Sequence, residues 1–306
     1  MKAARLYQPG QPLKIEEVPV PKPTGEQTLI RIAGAGVCHS DLHIIRGHMN
    51  MPLQLPRTLG HENAGYIEEM GPDVTGFQKG EALAVFGGWG DGTCYYCRNG
   101  EEQLCNTLTW VGIGADGGYA EYLLVPHQRY LVRLGDLDPV EAAPLTDAAL
   151  TPYRAVKKVL PNLVPGTFAA VIGLGGLGQF GLQFLKIMSA AQLIAIDVDD
   201  KKLARAKELG ADFTINSAKQ DAAAEVKRIA GGEGAQGVLD FVGMDATLQT
   251  AVASAARKGR VVMVGLGGGT LHYNFFSVPT EVTVSNSDWG SRSELEEVIA
   301  LARQGK

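Results

Sequence analysis

The sequence predicts an antiparallel β unit followed by a doubly wound α/β unit, and three observations carry that expectation. Over residues 1–147 short apolar runs are broken by Gly and Pro, without a long helical period. From residue 148 onward strand-like runs alternate with helical stretches. Where the first of these strands meets its helix stands the turn Gly173-Leu174-Gly175-Gly176-Leu177-Gly178. Closely spaced short strands fit a small barrel or sandwich, whereas β–α alternation requires crossover helices and a parallel sheet.

In the first part, strands are expected at Thr28–Ile32, Ala64–Glu69, Ala82–Phe86 and Ala120–Val125. In the second part, the strand Phe168–Ile172 leads through the Gly-rich turn into a helix reaching about Ala190, and Leu193–Val198 follows as a strand. A charged helix over Asp200–Leu209, a strand at Phe213–Ile215 and a helix near Asp221–Ile229 come next. Gly237–Val242, Ala246–Ala256 and Arg260–Leu266 read as strand, helix and strand, with a last strand at Glu281–Ser285. Ser293–Gln304 reads as a helix capped by Ser293. The expected division is 1–147, 148–285, and a third segment, 286–306, that starts a return to the first domain.

Composition narrows the classes of function. The 306 residues carry 28 Lys plus Arg against 33 Asp plus Glu, a net charge of -5, with no basic run to displace phosphate counterions. A nucleic-acid partner is therefore not expected. The start, MKAARLYQPG, lacks a signal-peptide core, and the uncharged run from Val159 is interrupted by Pro161, Asn162, Pro165 and clustered glycines. No membrane partner is expected, and a cytoplasmic enzyme is. Three of the four cysteines fall between Cys94 and Cys105, a spacing that suits metal better than disulfides in a chain without an export signal.

The Gly-rich turn has a recognisable chemistry. Gly173 permits the tight turn, Gly175 and its neighbours Gly176 and Leu177 let backbone approach a pyrophosphate, and Gly178 lets helix and strand pack closely. Asp197 ends the next strand, where a carboxylate accepts hydrogen bonds from an adenosine ribose and repels a 2′-phosphate, which favours NAD over NADP. Lys202, one helical turn on, can reach the same ribose. The plainer reading is that Asp197, Asp199 and Asp200 cap the following helix.

Two groups of residues have the composition of zinc sites. Cys38, His61 and Asp147 supply a thiolate, an imidazole and a carboxylate, enough for a catalytic zinc with one open position and a charge that balances Zn²⁺. Asp41 is the expected acceptor for the His61 ring N–H, and Glu62 is either a transient fourth ligand or a supporting carboxylate. Asp91-x2-Cys94-x2-Cys97-x7-Cys105 has the spacing of a structural zinc lobe, with Asp91 as an oxygen donor beside three thiolates. The plainer readings are a buried small Cys, a structural His, and reduced thiols in a loop.

Taken with CHSDLH, LPRTLGHENAGYIEEMG and PLTDAALTPYRAV, these motifs closely resemble the zinc-dependent, medium-chain alcohol dehydrogenases along nearly the whole chain, especially their bacterial and archaeal branch. The resemblance implies a GroES-like β-barrel catalytic domain, a Rossmann domain, and NAD-dependent interconversion of primary or secondary alcohols with aldehydes or ketones. It implies catalytic-zinc ligands at Cys38, His61 and Asp147 and structural-zinc ligands at Asp91, Cys94, Cys97 and Cys105. It also implies that Ser40 takes the alcohol proton, that His43 ends the relay, and that His39 contacts the pyrophosphate. Trp89 and Trp110 match pocket-lining positions, or are core. A homo-oligomer, tetramer or dimer, is implied as well. Relatives continue beyond Lys306, so the return to the first domain is expected to be shortened.

Three rivals share parts of this pattern. A zinc-free enone or quinone reductase would not need Cys38, His61 and Asp147. An inactive or structural nucleotide-binding relative would bind NAD and zinc without turnover. A polyol or threonine dehydrogenase would use the same metal on a hydroxylated substrate, against which the apolar Trp89 and Trp110 weigh.

Overall fold

The computed structural model describes residues 1–48 and 53–306. Short antiparallel strands dominate its first part: β1 (Lys2–Leu6), β2 (Lys14–Glu17), β3 (Thr28–Gly36), β4 (Arg57–Thr58), β5 (Glu62–Met70) and β6 (Ala82–Val85). They are followed by β7 (Gly88–Trp89), β8 (Thr109–Trp110), β9 (Tyr122–Val125) and β10 (Leu131–Arg133). A five-stranded sheet runs β10-β6-β5-β3-β9, a three-stranded sheet runs β2-β1-β4, and β7 with β8 forms a ribbon. A bridge between Ala3 and Ala120 and the bond from the Ala4 N–H to the Tyr119 carbonyl stitch the two larger sheets.

Three short helices interrupt these strands, α1 (His39–Arg46), α2 (Tyr95–Arg98) and α3 (Pro139–Ala142). α1 was not anticipated. The Asp41 carboxylate accepts from the Cys38 N–H at 3.0 Å, and Gly47 ends the helix in the left-handed region (φ 73). Leu6, Ile44, Leu59 and Ile113 form a core at this end of the unit, with Trp110 and Tyr119 packed against it.

The second part begins with α4 (Leu150–Val159) and continues β11 (Phe168–Ile172), α5 (Gly176–Met188), β12 (Gln192–Asp197), α6 (Asp200–Glu208) and β13 (Phe213–Asn216). Then come α7 (Ala222–Ile229), β14 (Ala235–Asp240), α8 (Asp245–Ser254), β15 (Ala255–Met263) and β16 (Thr283–Asn286). All the strand pairs of this sheet are parallel, in the order β13-β12-β11-β14-β15-β16, the doubly wound arrangement of a Rossmann unit. Its core is aliphatic, with Ile172, Ile194, Ile196, Val238 and Val261 buried. That is the composition of strands covered on both faces.

α9 (Arg292–Arg303) closes the chain. Its cap is Ser291, not Ser293: the Ser291 Oγ accepts from the Glu294 N–H at 3.2 Å, and the Glu294 carboxylate accepts from the Ser291 N–H at 2.8 Å. The reciprocal pair is a capping box, and Ser293 sits inside the first turn. Residues 1–150 and 290–306 form one compact unit and 151–289 the other, whereas the sequence reading placed the breaks at 147/148 and 285/286. No helix among the described residues is long and apolar enough to cross a membrane.

Candidate metal and dinucleotide sites

Three segments of the first unit meet at one cluster, with His61 and Glu62 buried and Cys38 and Asp147 partly so. Cys38 precedes α1, His61 and Glu62 stand at the start of β5, and Asp147 follows the 3₁₀ turn Ala143–Thr146. One ligand atom from each of Cys38, His61, Glu62 and Asp147 lies within 4.8 Å of all the others. Local bonds set this convergence. The Asn63 N–H donates to the Thr146 hydroxyl at 3.1 Å, and that hydroxyl donates to the Ala143 carbonyl at 2.8 Å, so β5 carries the turn that presents Asp147. Gly36 faces Glu62 across the β3–β5 ladder, and a Cβ there would overlap the Glu62 carboxylate.

The imidazole is held by carboxylates on both sides. His61 Nε2 is 3.5 Å from Asp147 Oδ2, and Nδ1 is 3.4 Å from Asp41 Oδ1. Burial would lower the His61 pKa, but Asp147, Asp41 and Cys38 outweigh it and hold it well above the usual histidine range. Burial, then the neighbouring Asp147, pushes Glu62 up to about 8. These buried acids resist ionising together, and a divalent cation removes that penalty. Thiolate, imidazole and carboxylate donors suit zinc, and Asp41 at the far ring nitrogen is the usual supporting contact.

Ser40 Oγ is 3.3 Å from Cys38 Sγ. His39 is exposed, and His43 is partly buried with its ring centroid 5.1 Å from that of His39. Burial, then His39, His48 and Arg46, lowers the His43 pKa, which favours the neutral imidazole.

The second cluster is local. Asp91, Cys94, Cys97 and Cys105 again place ligand atoms within 4.8 Å of one another. Asp91 Oδ1 accepts from the Thr93 N–H at 2.7 Å and the Cys94 N–H at 2.9 Å, while Oδ2 accepts from the Thr107 hydroxyl at 3.1 Å. Those backbone donors hold Asp91 well below the usual carboxylate range. The Cys97 N–H points at Cys94 Sγ and the Asp91 N–H at Cys105 Sγ, both at 3.4 Å. Burial pushes the Cys97 thiol up to about 12. Arg129, which the sequence reading did not single out, donates to the Gly90 carbonyl at 2.8 Å and pairs with Glu102 at 3.1 Å, tying the lobe down.

Trp89 is 6% exposed, and its indole N–H donates to the Phe86 carbonyl at 2.9 Å. Its ring lies beside Tyr130, so packing is what the structure gives it. Trp110 is half-buried on β8, against the Leu6–Ile113 core.

In the second unit, a Cβ on Gly178 would overlap the Gly173 carbonyl, whereas Gly175 and Gly176 have open space where theirs would stand. α5 starts at Gly176, with Leu177 in its first turn, so its free N–H groups open beside those bare positions. Asp197 Oδ2 accepts from the Leu174 N–H at 2.7 Å, and Oδ1 accepts from the Asp199 N–H at 3.0 Å. Asp197 thus braces the turn rather than capping α6; Asp199 is the cap, and Asp200 pairs with Asn216 and Lys219. Lys202 Nζ is 3.7 Å from Asp197 Oδ2.

Known proteins share this layout. Family models for an alcohol dehydrogenase GroES-like domain and for a zinc-binding dehydrogenase match residues 24–136 and 176–304. A "NAD-dependent alcohol dehydrogenase" of Sulfurisphaera tokodaii is 45% identical over 100% of this chain and 90% of its own length. A "D-arabinose 1-dehydrogenase (NADP(+))" of Saccharolobus solfataricus is 38% identical over 100% of this chain and 88% of its own. The crystal structure of the alcohol dehydrogenase from Aeropyrum pernix superposes with a TM-score of 0.93 at 42% identity, covering 100% of this chain and 90% of that one. The chain belongs to the zinc-binding dehydrogenase family whose members carry an alcohol dehydrogenase GroES-like domain.

Proposed function

We propose that the protein is a zinc-dependent oxidoreductase that interconverts primary or secondary alcohols with aldehydes or ketones using NAD(H). The observation that carries this reading is the convergence of Cys38, His61, Glu62 and Asp147 on one point. Zinc, when bound, supplies Lewis acidity that makes an alcohol hydroxyl more acidic, and NAD supplies the hydride acceptor.

Cys38, His61 and Asp147 hold the ion, Glu62 stands by as a further carboxylate, and Asp41 keeps the His61 ring aligned. Their thiolate and carboxylate charges match a divalent cation and leave the site neutral. The Ser40 hydroxyl would take the proton released from the substrate as it gives up its own, and His43 would be the base at the end of that relay to solvent. The turn at Gly173, Gly175, Gly176, Leu177 and Gly178 receives the pyrophosphate. Asp197 and Lys202 receive the adenosine ribose. Two carboxylate oxygens have room for more than the two backbone donors they already serve. Trp110 gives the substrate pocket its apolar wall, and Asp91, Cys94, Cys97 and Cys105 hold a second, structural zinc. The active assembly is a homo-oligomer.

Zinc analysis combined with an NAD-reduction assay tests this. The panel holds primary, secondary and cyclic alcohols together with a pentose, because one relative is named for D-arabinose. Two zinc ions per chain and reduction of NAD by simple alcohols are expected; a zinc-loaded protein inert toward the whole panel overturns the reading. Asp197→Gly should erode the preference for NAD over NADP by about tenfold or more, the worth of a charged hydrogen bond. An unchanged ratio would remove Asp197 from the ribose site.

A further inference from the structure

Asp41 stands behind the metal cluster, and what holds Asp41 is a tyrosine to which no role has been given. Asp41 is 1% exposed, with Oδ1 3.4 Å from His61 Nδ1. Its other oxygen takes two donors, the Cys38 N–H at 3.0 Å and the Tyr119 hydroxyl at 2.8 Å. A carboxylate with one oxygen engaged twice cannot turn, so the remaining oxygen stays on the imidazole.

Tyr119 also shapes the main chain that carries His61. Its N–H donates to the Leu59 carbonyl at 3.0 Å, and the preceding Gly118 N–H donates to the Gly60 carbonyl at 2.9 Å. Gly60 is in the left-handed region (φ +97), and a Cβ there would stand 2.6 Å from Tyr119 Cδ1. The phenol ring therefore lies under the residue just before His61, while its hydroxyl reaches round to the carboxylate behind the ring. That hydroxyl is also 3.1 Å from the carbonyl of Gly36, the bare position beside Glu62. Burial, then Asp41, raises the Tyr119 pKa far above the ordinary phenol value, so the group is a donor throughout the working range.

We propose that Tyr119 is a positioning residue of the buried metal centre, acting on His61 through Asp41. A phenylalanine would pack against Gly60 equally well but would leave that Asp41 oxygen with the Cys38 N–H as its one remaining donor. With Asp41 fixed on Nδ1, Nε2 keeps its lone pair toward the cluster and is the more basic donor. The inference rests on the reading of Cys38, His61 and Asp147 as metal ligands, and the experiment separates the two.

Cobalt(II) replaces zinc in the whole protein, and the absorption difference between the parent and His61→Ala isolates the bands of this centre from those of the cysteine lobe. In Tyr119→Phe these bands should shift, and cobalt affinity at this centre should fall about ten- to a hundred-fold. The lobe's bands and NAD binding should stay as in the parent. Asp41→Asn should lose at least as much affinity, and the double variant no more than Asp41→Asn alone. Unchanged bands and affinity in Tyr119→Phe would overturn the inference and leave the metal site standing. A Tyr119→Phe loss that adds in full to the Asp41→Asn loss would show that the hydroxyl does not act through Asp41. Absence of His61-dependent bands in the parent would overturn the metal reading and this inference together.

Discussion

Asp91, Cys94, Cys97 and Cys105 lie in one loop, whereas Cys38, His61, Glu62 and Asp147 are drawn from three separate segments of the same unit. In the loop, the first carboxylate bonds to backbone two and three residues on, so ligands and their supports are neighbours along the chain. The buried cluster depends on the β3–β5 ladder, the Thr146 turn and the 118–119 backbone, none of which is local to any one ligand. In the proposed function the loop's metal would fix its shape. The buried cluster has a shape already, and needs the metal to relieve acids that the fold has crowded together. In the proposed function zinc would have a structural task in one place and a chemical one in the other.

The largest effect separating the two should come from His61→Ala. Turnover should fall to background and zinc content by one ion per chain; activity in a zinc-free sample would break the comparison. Ser40→Ala removes a proton acceptor but no metal donor. It should cost about two orders of magnitude or more in turnover, with both ions retained. Metal analysis beside kinetics checks this, and loss of an ion would make Ser40 structural.

Cys97→Ser attacks the loop. Zinc held at about a hundred times its dissociation constant contributes about 2.7 kcal/mol, so the thermal midpoint should fall by roughly 5–10 °C. The cobalt bands that depend on His61 should persist. A variant as stable as the parent would show that the loop keeps its shape without metal.

The smallest effect is a matter of sign. In metal-free protein, Glu62 is raised from 4.5 to about 8, so the folded state binds more protons than the unfolded state between those values. Stability should then fall as pH rises through that window, and the raised His61 contributes in the same direction. Asp91 is lowered from 3.8, so its share of stability is present above that value and is lost as pH falls below it. Denaturant midpoints of metal-free protein from pH 4.5 to 8 check the Glu62 window, and a series taken below pH 3.8 checks Asp91. A Glu62→Gln variant with the parent's slope would show that the buried acids are not crowded.

The loop and the Gly-rich turn were legible because their spacing is their geometry: Cys94 and Cys97 are one turn of α2 apart, and Gly173 to Gly178 span a single strand–helix join. Asp41 was legible too, three residues from Cys38. Tyr119, Gly36 and Arg129 were not. Each acts on residues dozens of positions away, and an aromatic, a glycine and an arginine in a β-rich segment have many ordinary uses. α1 was missed because eight residues with four charged or imidazole side chains on a short period look like loop until the Asp41 cap is seen. The cap of α9 was misplaced by two residues because Ser291 and Ser293 are chemically alike, and only the reciprocal bond to Glu294 distinguishes them.

Donor chemistry, the parallel sheet and the carboxylate that ends β12 were therefore readable from residue type and spacing, since each depends on neighbours along the chain. Strand register and the packing of distant turns decided which carboxylates share an imidazole, where Glu62 finds room and what Tyr119 holds. Those relations exist only after folding, because antiparallel pairing joins residues whose separation in the chain carries no trace of the contact.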